Sequence, residues 1–203
     1  DGPYNVKLAT LCSGHIRILR RLQPRAFVDG WWQNLSAAIH TGFLRHIQIL
    51  EVIGVYVQDK QLVDLFRTVA GTSLPHLKHI TFTDNLMGEA GVSSLVRAVA
   101  SAPLVRLQSL RVSVNDIRDA GMTTLSRAIA DGLLRHLWKL CLDHNRIEDA
   151  GIGALVGAFK SGWLEGLERL HLDYNYIDSA AMTTLANGIS SGPMSNLKWL
   201  HLS

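Results

Sequence analysis

A period of 30 residues constrains this chain more than any other feature. Asn85, Asn115, Asn145 and Asn175 recur at that spacing, and leucines at 77, 107, 137, 167 and 197 precede them in fixed phase. The stretch Leu137–Gly166, LWKLCLDHNRIEDAGIGALVGAFKSGWLEG, shows one complete unit. Self-similarity at such a period marks an array in which each unit covers its apolar stripe only by stacking on its neighbours.

Each unit holds two apolar series. Leu137, Leu140 and Leu142 end on the period of two that suits a short strand. Ile152, Leu155, Ala158 and Phe159 carry one face of a helix, and they recur as Val92, Leu95, Ala98 and Val99, as Met122, Leu125, Ala128 and Ile129, and as Met182, Leu185 and Ile189. Strand, turn, helix, turn is therefore the predicted unit, and strands joined by helical crossovers run parallel. Asp29, Asp59, Glu89, Asp119 and Asp149 stand at the helix starts, with Glu89, Asp119 and Asp149 expected to cap their own helices. Gly132, Gly162 and Gly192 stand where helices end, a place for left-handed backbone.

Toward the N-terminus the pattern decays. The unit from Ile47 to His76 keeps its strand and helix positions but has Val55 in place of the Asn. Before it, Trp32, Leu35, Ala38 and Ile39 fit a helix, while the strand positions fall on Arg17 and Arg20. Residues 1–46 are thus expected to form an N-terminal cap with a degenerate first repeat, and 47–203 the regular repeats with the last one truncated.

Composition narrows the function classes. With 203 residues, 47% of them hydrophobic, the chain has the material for a sizeable core. Every apolar run is interrupted well short of the roughly 18 residues of a spanning helix, so no membrane insertion is expected. A net charge of +3 is too small to argue for nucleic acid, and no nucleic-acid partner is expected. Cys12 and Cys141 show no paired spacing, which points to the cytoplasm or another reducing intracellular compartment. The chain opens on Asp1 without a signal-peptide pattern and stops at Ser203 within a unit. It is expected to be a region of a longer protein, with organelle targeting left open.

The pattern LxxLxLxxNxIxxAGxxxL, quoted from Leu137 to Leu155, recurs from Leu107 and, with Ala181 for the glycine, from Leu167. It resembles the ribonuclease-inhibitor-like class of leucine-rich repeats, most strongly over residues 47–203. The resemblance implies an α/β solenoid, a curved horseshoe with a parallel sheet on the concave face and helices on the convex face. The inhibitors themselves are cysteine-rich and this chain is not, which argues against an actual inhibitor. Sensor proteins with nucleotide-binding modules and activators of a small GTPase also carry such repeats, but these residues hold neither a nucleotide-binding motif nor an acidic tail.

Asn85, Asn115, Asn145 and Asn175 are expected to form a structural ladder, satisfying backbone groups where each strand turns. Function is sought instead on the sheet face, where neighbouring units align residues in columns about 4.8 Å apart. One column reads Glu51, Thr81, Arg111, Cys141, His171, His201; a second reads Ile53, Thr83, Ser113, Asp143, Asp173, Ser203; a third reads Ile49, His79, Ser109, Lys139, Arg169, Trp199. The face turns charged and aromatic toward the C-terminus, and Trp, Tyr and Arg are the usual anchors of protein interfaces. The candidate partner-binding residues are Trp138, Lys139, Cys141, Asp143, His144, Arg169, His171, Asp173, Tyr174, Trp199 and His201.

Cys141, His171 and His201, with Asp143 and Asp173 beside them, offer ligand types that suit zinc. Successive strands of a curved sheet diverge, however, and no CxxC or HxxxH fixes the donors, so neither a metal nor another cofactor is assigned. Asp143 and Asp173 are expected to pair with Arg111, Lys139 or Arg169. No nucleophile–base pair or Gly-rich phosphate loop points to catalysis. The expectation is a non-enzymatic protein-interaction scaffold or a structural subunit of a larger assembly. The alternative is a ligand-sensing or regulatory region of a longer protein, such as a nucleotide-binding (NLR-like) sensor or a small-GTPase activator.

Overall fold

The computed structural model describes residues 21–22, 31–71, 74–101, 106–192 and 194–203. In them seven short strands alternate with six helices: β1 (Arg21–Leu22), α1 (Trp31–His40), β2 (Ile49–Ile53), α2 (Asp59–Ala70), β3 (His79–Thr83), α3 (Glu89–Ala100), β4 (Ser109–Arg111), α4 (Arg118–Ala130), β5 (Lys139–Cys141), α5 (Asp149–Phe159), β6 (Arg169–His171), α6 (Ser179–Ser190) and β7 (Trp199–His201). The strands form one parallel sheet in sequence order. From β2 onward each residue pairs with the one 30 places on: Leu50 with Ile80, Leu110 with Leu140, Leu170 with Leu200. The architecture is an α/β leucine-rich-repeat solenoid, one layer of sheet and one of helices with the core between. Among the described residues no helix is long and apolar enough to cross a membrane.

The core is the two apolar series meeting. Leu140, Leu142, Ile152, Leu155 and Phe159 are all essentially inaccessible, as are their counterparts Leu110, Val112, Met122, Leu125 and Ile129. Phe66 and Phe82 meet with ring centroids 5.2 Å apart, tying α2 to β3. Gly132, Gly162 and Gly192 hold φ of +75°, +75° and +120° past the helix ends, the backbone a side chain disfavours.

Between strand and helix the asparagines bond to backbone groups of two units. The Asn115 amide nitrogen donates to the carbonyls of Phe82, Val112 and Ser113 at 2.6, 3.0 and 3.0 Å, and its oxygen accepts from the Met87 N–H at 3.0 Å. Asn85 and Asn175 bridge to the preceding unit in the same way, accepting from Val57 and Ile147. Backbone groups that a strand leaves behind at its turn thereby find partners across the unit boundary.

Two expectations are corrected. The first unit is offset: Leu22, not Arg20, pairs with Leu50, a spacing of 28 residues rather than 30, because 50 − 22 = 28. Arg17, Arg20 and Asp29 lie outside the described residues. The acidic residues, moreover, reach forward instead of capping their own helices. Oδ1 of Asp59, Asp119 and Asp149 accepts from the N–H of Gly88, Glu148 and Asp178 at 2.7, 2.8 and 3.2 Å. Those three residues are the N-caps of the following helices. The carboxylate also crowds the Ala-Gly of the next unit: a Cβ on Gly91 or Gly151 would lie 2.5 Å from Oδ1 of Asp59 or Asp119 and 2.8 or 2.7 Å from Met87 or Ile147, while at Gly121, with no such carboxylate beside it, Ile117 alone comes within 2.7 Å. Where Ala181 replaces the glycine, the bond is the longest of the three.

Glu89 marks the exception. It makes no such forward bond, and the residue it would serve, Arg118, adopts φ +53° and donates its N–H to the Asn145 carbonyl at 3.0 Å. The Oδ1 of Asn145, fully buried, is left without a partner. One longer acid side chain thus coincides with the one irregular turn among Asn85, Asn115, Asn145 and Asn175.

Candidate functional site

The sheet ladder brings the variable residues of β5, β6 and β7 side by side. Lys139, Arg169 and Trp199 are in register, as are Cys141, His171 and His201. Beyond the strands the alignment continues through backbone bonds, His144 N–H to the Asp173 carbonyl at 2.9 Å and Tyr174 N–H to the Ser203 carbonyl at 2.8 Å.

Arg169 is the centre of this surface. Its guanidinium carbon lies 4.3 Å from the Trp199 ring centroid and 5.6 Å from that of Trp138, so the cation sits between two indoles. Its Nε is buried without a hydrogen-bond partner. Trp138 is half-buried while Trp199 is 44% exposed. Sequence reasoning names all three residues but not the sandwich, because Trp138 stands one position before the Lys139 column and meets Arg169 on the diagonal.

A second stack runs along the turns. His144 and Tyr174 lie ring on ring, with centroids 4.2 Å apart and planes at 12°. Both precede a ladder Asn, in a row where Gly54, Asp84, Val114, His144 and Tyr174 all take φ between +54° and +64°. That backbone turns the side chains outward, and Tyr174 is 63% exposed. The third stack pairs His171 with His201, with centroids 4.3 Å apart and planes at 5°. Partial burial holds the His171 imidazole below its ordinary pKa; His201 and Lys139 push the same way, and Asp143 and Asp173 oppose them.

Two further expectations are corrected. Cys141 occupies its place in the column but is buried, flanked in register by the longer Arg111 and His171. Burial pushes its thiol pKa up, against the pull of Arg111 and Lys139, so it presents neither a surface contact nor a reactive thiolate. Asp143 and Asp173 form no ion pair with Arg111, Lys139 or Arg169. The ion pairs among the described residues lie elsewhere, as in Asp116 with Arg118 and Arg146, or Glu168 with Lys198. Asp173 instead accepts from the Ser203 N–H at 3.0 Å.

Donor atoms do converge. The ligating atoms of Cys141, Asp143 and His171 lie within 4.8 Å of one another, and so do those of His171, Asp173 and His201. The divergence expected of successive strands does not separate His171 from His201. Among the described residues the N-terminal half of the face, with Thr81, Thr83, Ser109 and a buried Ser113, carries no comparable grouping.

Comparison with known proteins supports the fold. The family model for the Leucine Rich repeat matches residues 107–126. No curated protein matches the sequence. The tropomodulin C-terminal domain of Caenorhabditis elegans is similar in structure, with a TM-score of 0.60 at 11% identity over 80% of this chain and 92% of that one. A TLR13–ssRNA13 complex is similar with a TM-score of 0.51 at 16% identity, over 98% of this chain but 23% of that one. At such identities the likeness is one of fold. The repeat pattern, the sheet and these neighbours agree on a leucine-rich-repeat solenoid fold.

Proposed function

We propose that this leucine-rich-repeat chain is a non-enzymatic protein-binding scaffold or a structural subunit of a larger assembly, and that a protein partner docks on the C-terminal half of its sheet face. The observation that carries the reading is Arg169 held between Trp138 and Trp199. A side chain already immobilised by stacking loses little freedom on binding, so more of its contact energy appears as affinity. The guanidinium offers a planar fork of donors to a partner carboxylate, and the indoles supply apolar area. His144 stacked on Tyr174 extends the anchor toward the turns. The helix that accompanies each unit from α2 on favours the ribonuclease-inhibitor-like subtype, and the buried free thiol of Cys141 suits a reducing compartment.

The test is recovery of partners from an extract of the source cells on immobilised chain, comparing wild type with Trp199→Ala and Trp138→Ala. Trp163→Ala is the control, since Trp163 is 48% exposed in a turn between α5 and β6, away from the strands. Recovery is expected to collapse for the first two variants and to persist for the control. Full recovery with both face variants would place the interface elsewhere.

A further inference from the structure

We propose that His171, Asp173 and His201 form a binding site for a divalent first-row transition ion, zinc being the ion their donors suit best. Three observations converge on it. His171 and His201 are direct ladder partners on β6 and β7 with rings stacked 4.3 Å apart, so both imidazoles reach the same patch of surface. Asp173 lies two residues beyond His171, on the same side of the chain by the period of a strand. The donor atoms of all three residues fall within 4.8 Å of one another.

Tetrahedral zinc with bonds of about 2.0–2.1 Å holds its donors roughly 3.3 Å apart, so donor–donor distances must shorten by up to about 1.5 Å and the two imidazoles, stacked with planes at 5°, must turn out of the stack for both lone pairs to meet the ion. His201 is exposed and the other two residues are half-buried, which leaves them room for that rotation. Asp173 is already oriented by the Ser203 N–H at 3.0 Å, the kind of outer contact that fixes a ligating carboxylate. Two imidazoles and a carboxylate leave a coordination position open, to be filled by water or by a donor from a bound molecule. Charge around the patch is mixed: Asp143 favours an added cation, while Lys139 opposes it.

A competing donor set, Cys141 with Asp143 and His171, shares His171 and cannot be filled at the same time. Its Cys141 is buried, so that set is less open to an ion arriving from solvent than the outer one, whose His201 is exposed. The outer set is therefore the one assigned.

The experiment uses the whole chain, without a histidine tag and stripped of metal, titrated with Zn²⁺ by calorimetry and with Co²⁺ by visible absorption. Saturable uptake of one ion per chain is expected, with cobalt d–d bands and no thiolate charge-transfer band. His171→Gln and His201→Gln should each weaken binding at least about tenfold, and Cys141→Ser should leave it unchanged. Circular dichroism melts of each variant, expected to match wild type, separate lost ligands from lost folding. The proposal fails if the wild type takes up no ion saturably, if uptake survives in a folded His201→Gln, or if a thiolate band that Cys141→Ser removes shows the ion on the inner set. No partner is needed, so the outcome is independent of the scaffold reading.

Discussion

The turn row and the sheet face are made by the same 30-residue repeat, yet they behave oppositely. Along the turns one residue type recurs, and Asn85 and Asn115 are buried with every side-chain polar atom satisfied. Across the sheet no column keeps its chemistry for more than two strands: Glu51 gives way to Thr81, Arg111, Cys141 and finally two histidines. Buried hydrogen bonds between units dictate the first row, because a missing partner costs about 1–3 kcal/mol per buried group. Packing constrains the second far less, Ser113 and Cys141 being the buried members of its columns, and leaves the rest free to vary.

The contrast can be broken or sharpened by substitution. Asn115→Ala orphans the Met87 N–H and the Phe82 carbonyl and should destabilise by about 2–4 kcal/mol in chemical denaturation. Asn145→Ala should cost about 1 kcal/mol less, because its Oδ1 has no partner to lose. A loss equal to that of Asn115→Ala would show that the irregular turn is not weaker.

The glycines of α5 form the next pair. At Gly151 an added Cβ meets Asp119 Oδ1 at 2.5 Å, and alanine should destabilise by about 1 kcal/mol despite its better helix propensity. At Gly153 nothing lies within 4 Å, and alanine should stabilise by a similar amount, about 1 kcal/mol. The same sign for both would mean that crowding by Asp119 and Ile147 does not select glycine at position 151.

Val114 is β-branched at φ +54° and 40% exposed, in a row where Asp84 also stands. Val114→Asn should raise stability by about 1 kcal/mol, read as a higher melting midpoint. The smallest effect concerns pH. Because the folded pKa of His171 lies below the ordinary 6.5, the unfolded chain takes up the proton first, and stability present above that pH declines as pH falls through it. Replacing His201 by Gln removes one cause, so the His171 midpoint followed by NMR should move up.

The repeat, the parallel sheet and the core are legible in the sequence because each requires one residue class at a fixed period. Leu140, Asn145 and Gly162 have single structural jobs, so their spacing alone places them. Contacts between units are less legible. Asp119 occupies the predicted place at a helix start, but its partner Glu148 belongs to the next unit, and no intra-unit pattern announces that. Alternation says toward which side Cys141 points and not that Arg111 and His171 flank it closely enough to bury it. The stack on Arg169 depends on a diagonal that the columns do not display.

The division of labour between turn and face is tested most directly by carrying Asn115→Ala and the triple variant Trp138→Ala, Arg169→Ala, Trp199→Ala through the same two assays, thermal unfolding and partner recovery. The triple variant should lose the partner while its melting midpoint stays within about 2 °C of the midpoint of wild type, as surface changes within about 0.5 kcal/mol allow. Asn115→Ala should lower the midpoint clearly and keep the partner below it. A triple variant that melts early or still binds fully would contradict the account.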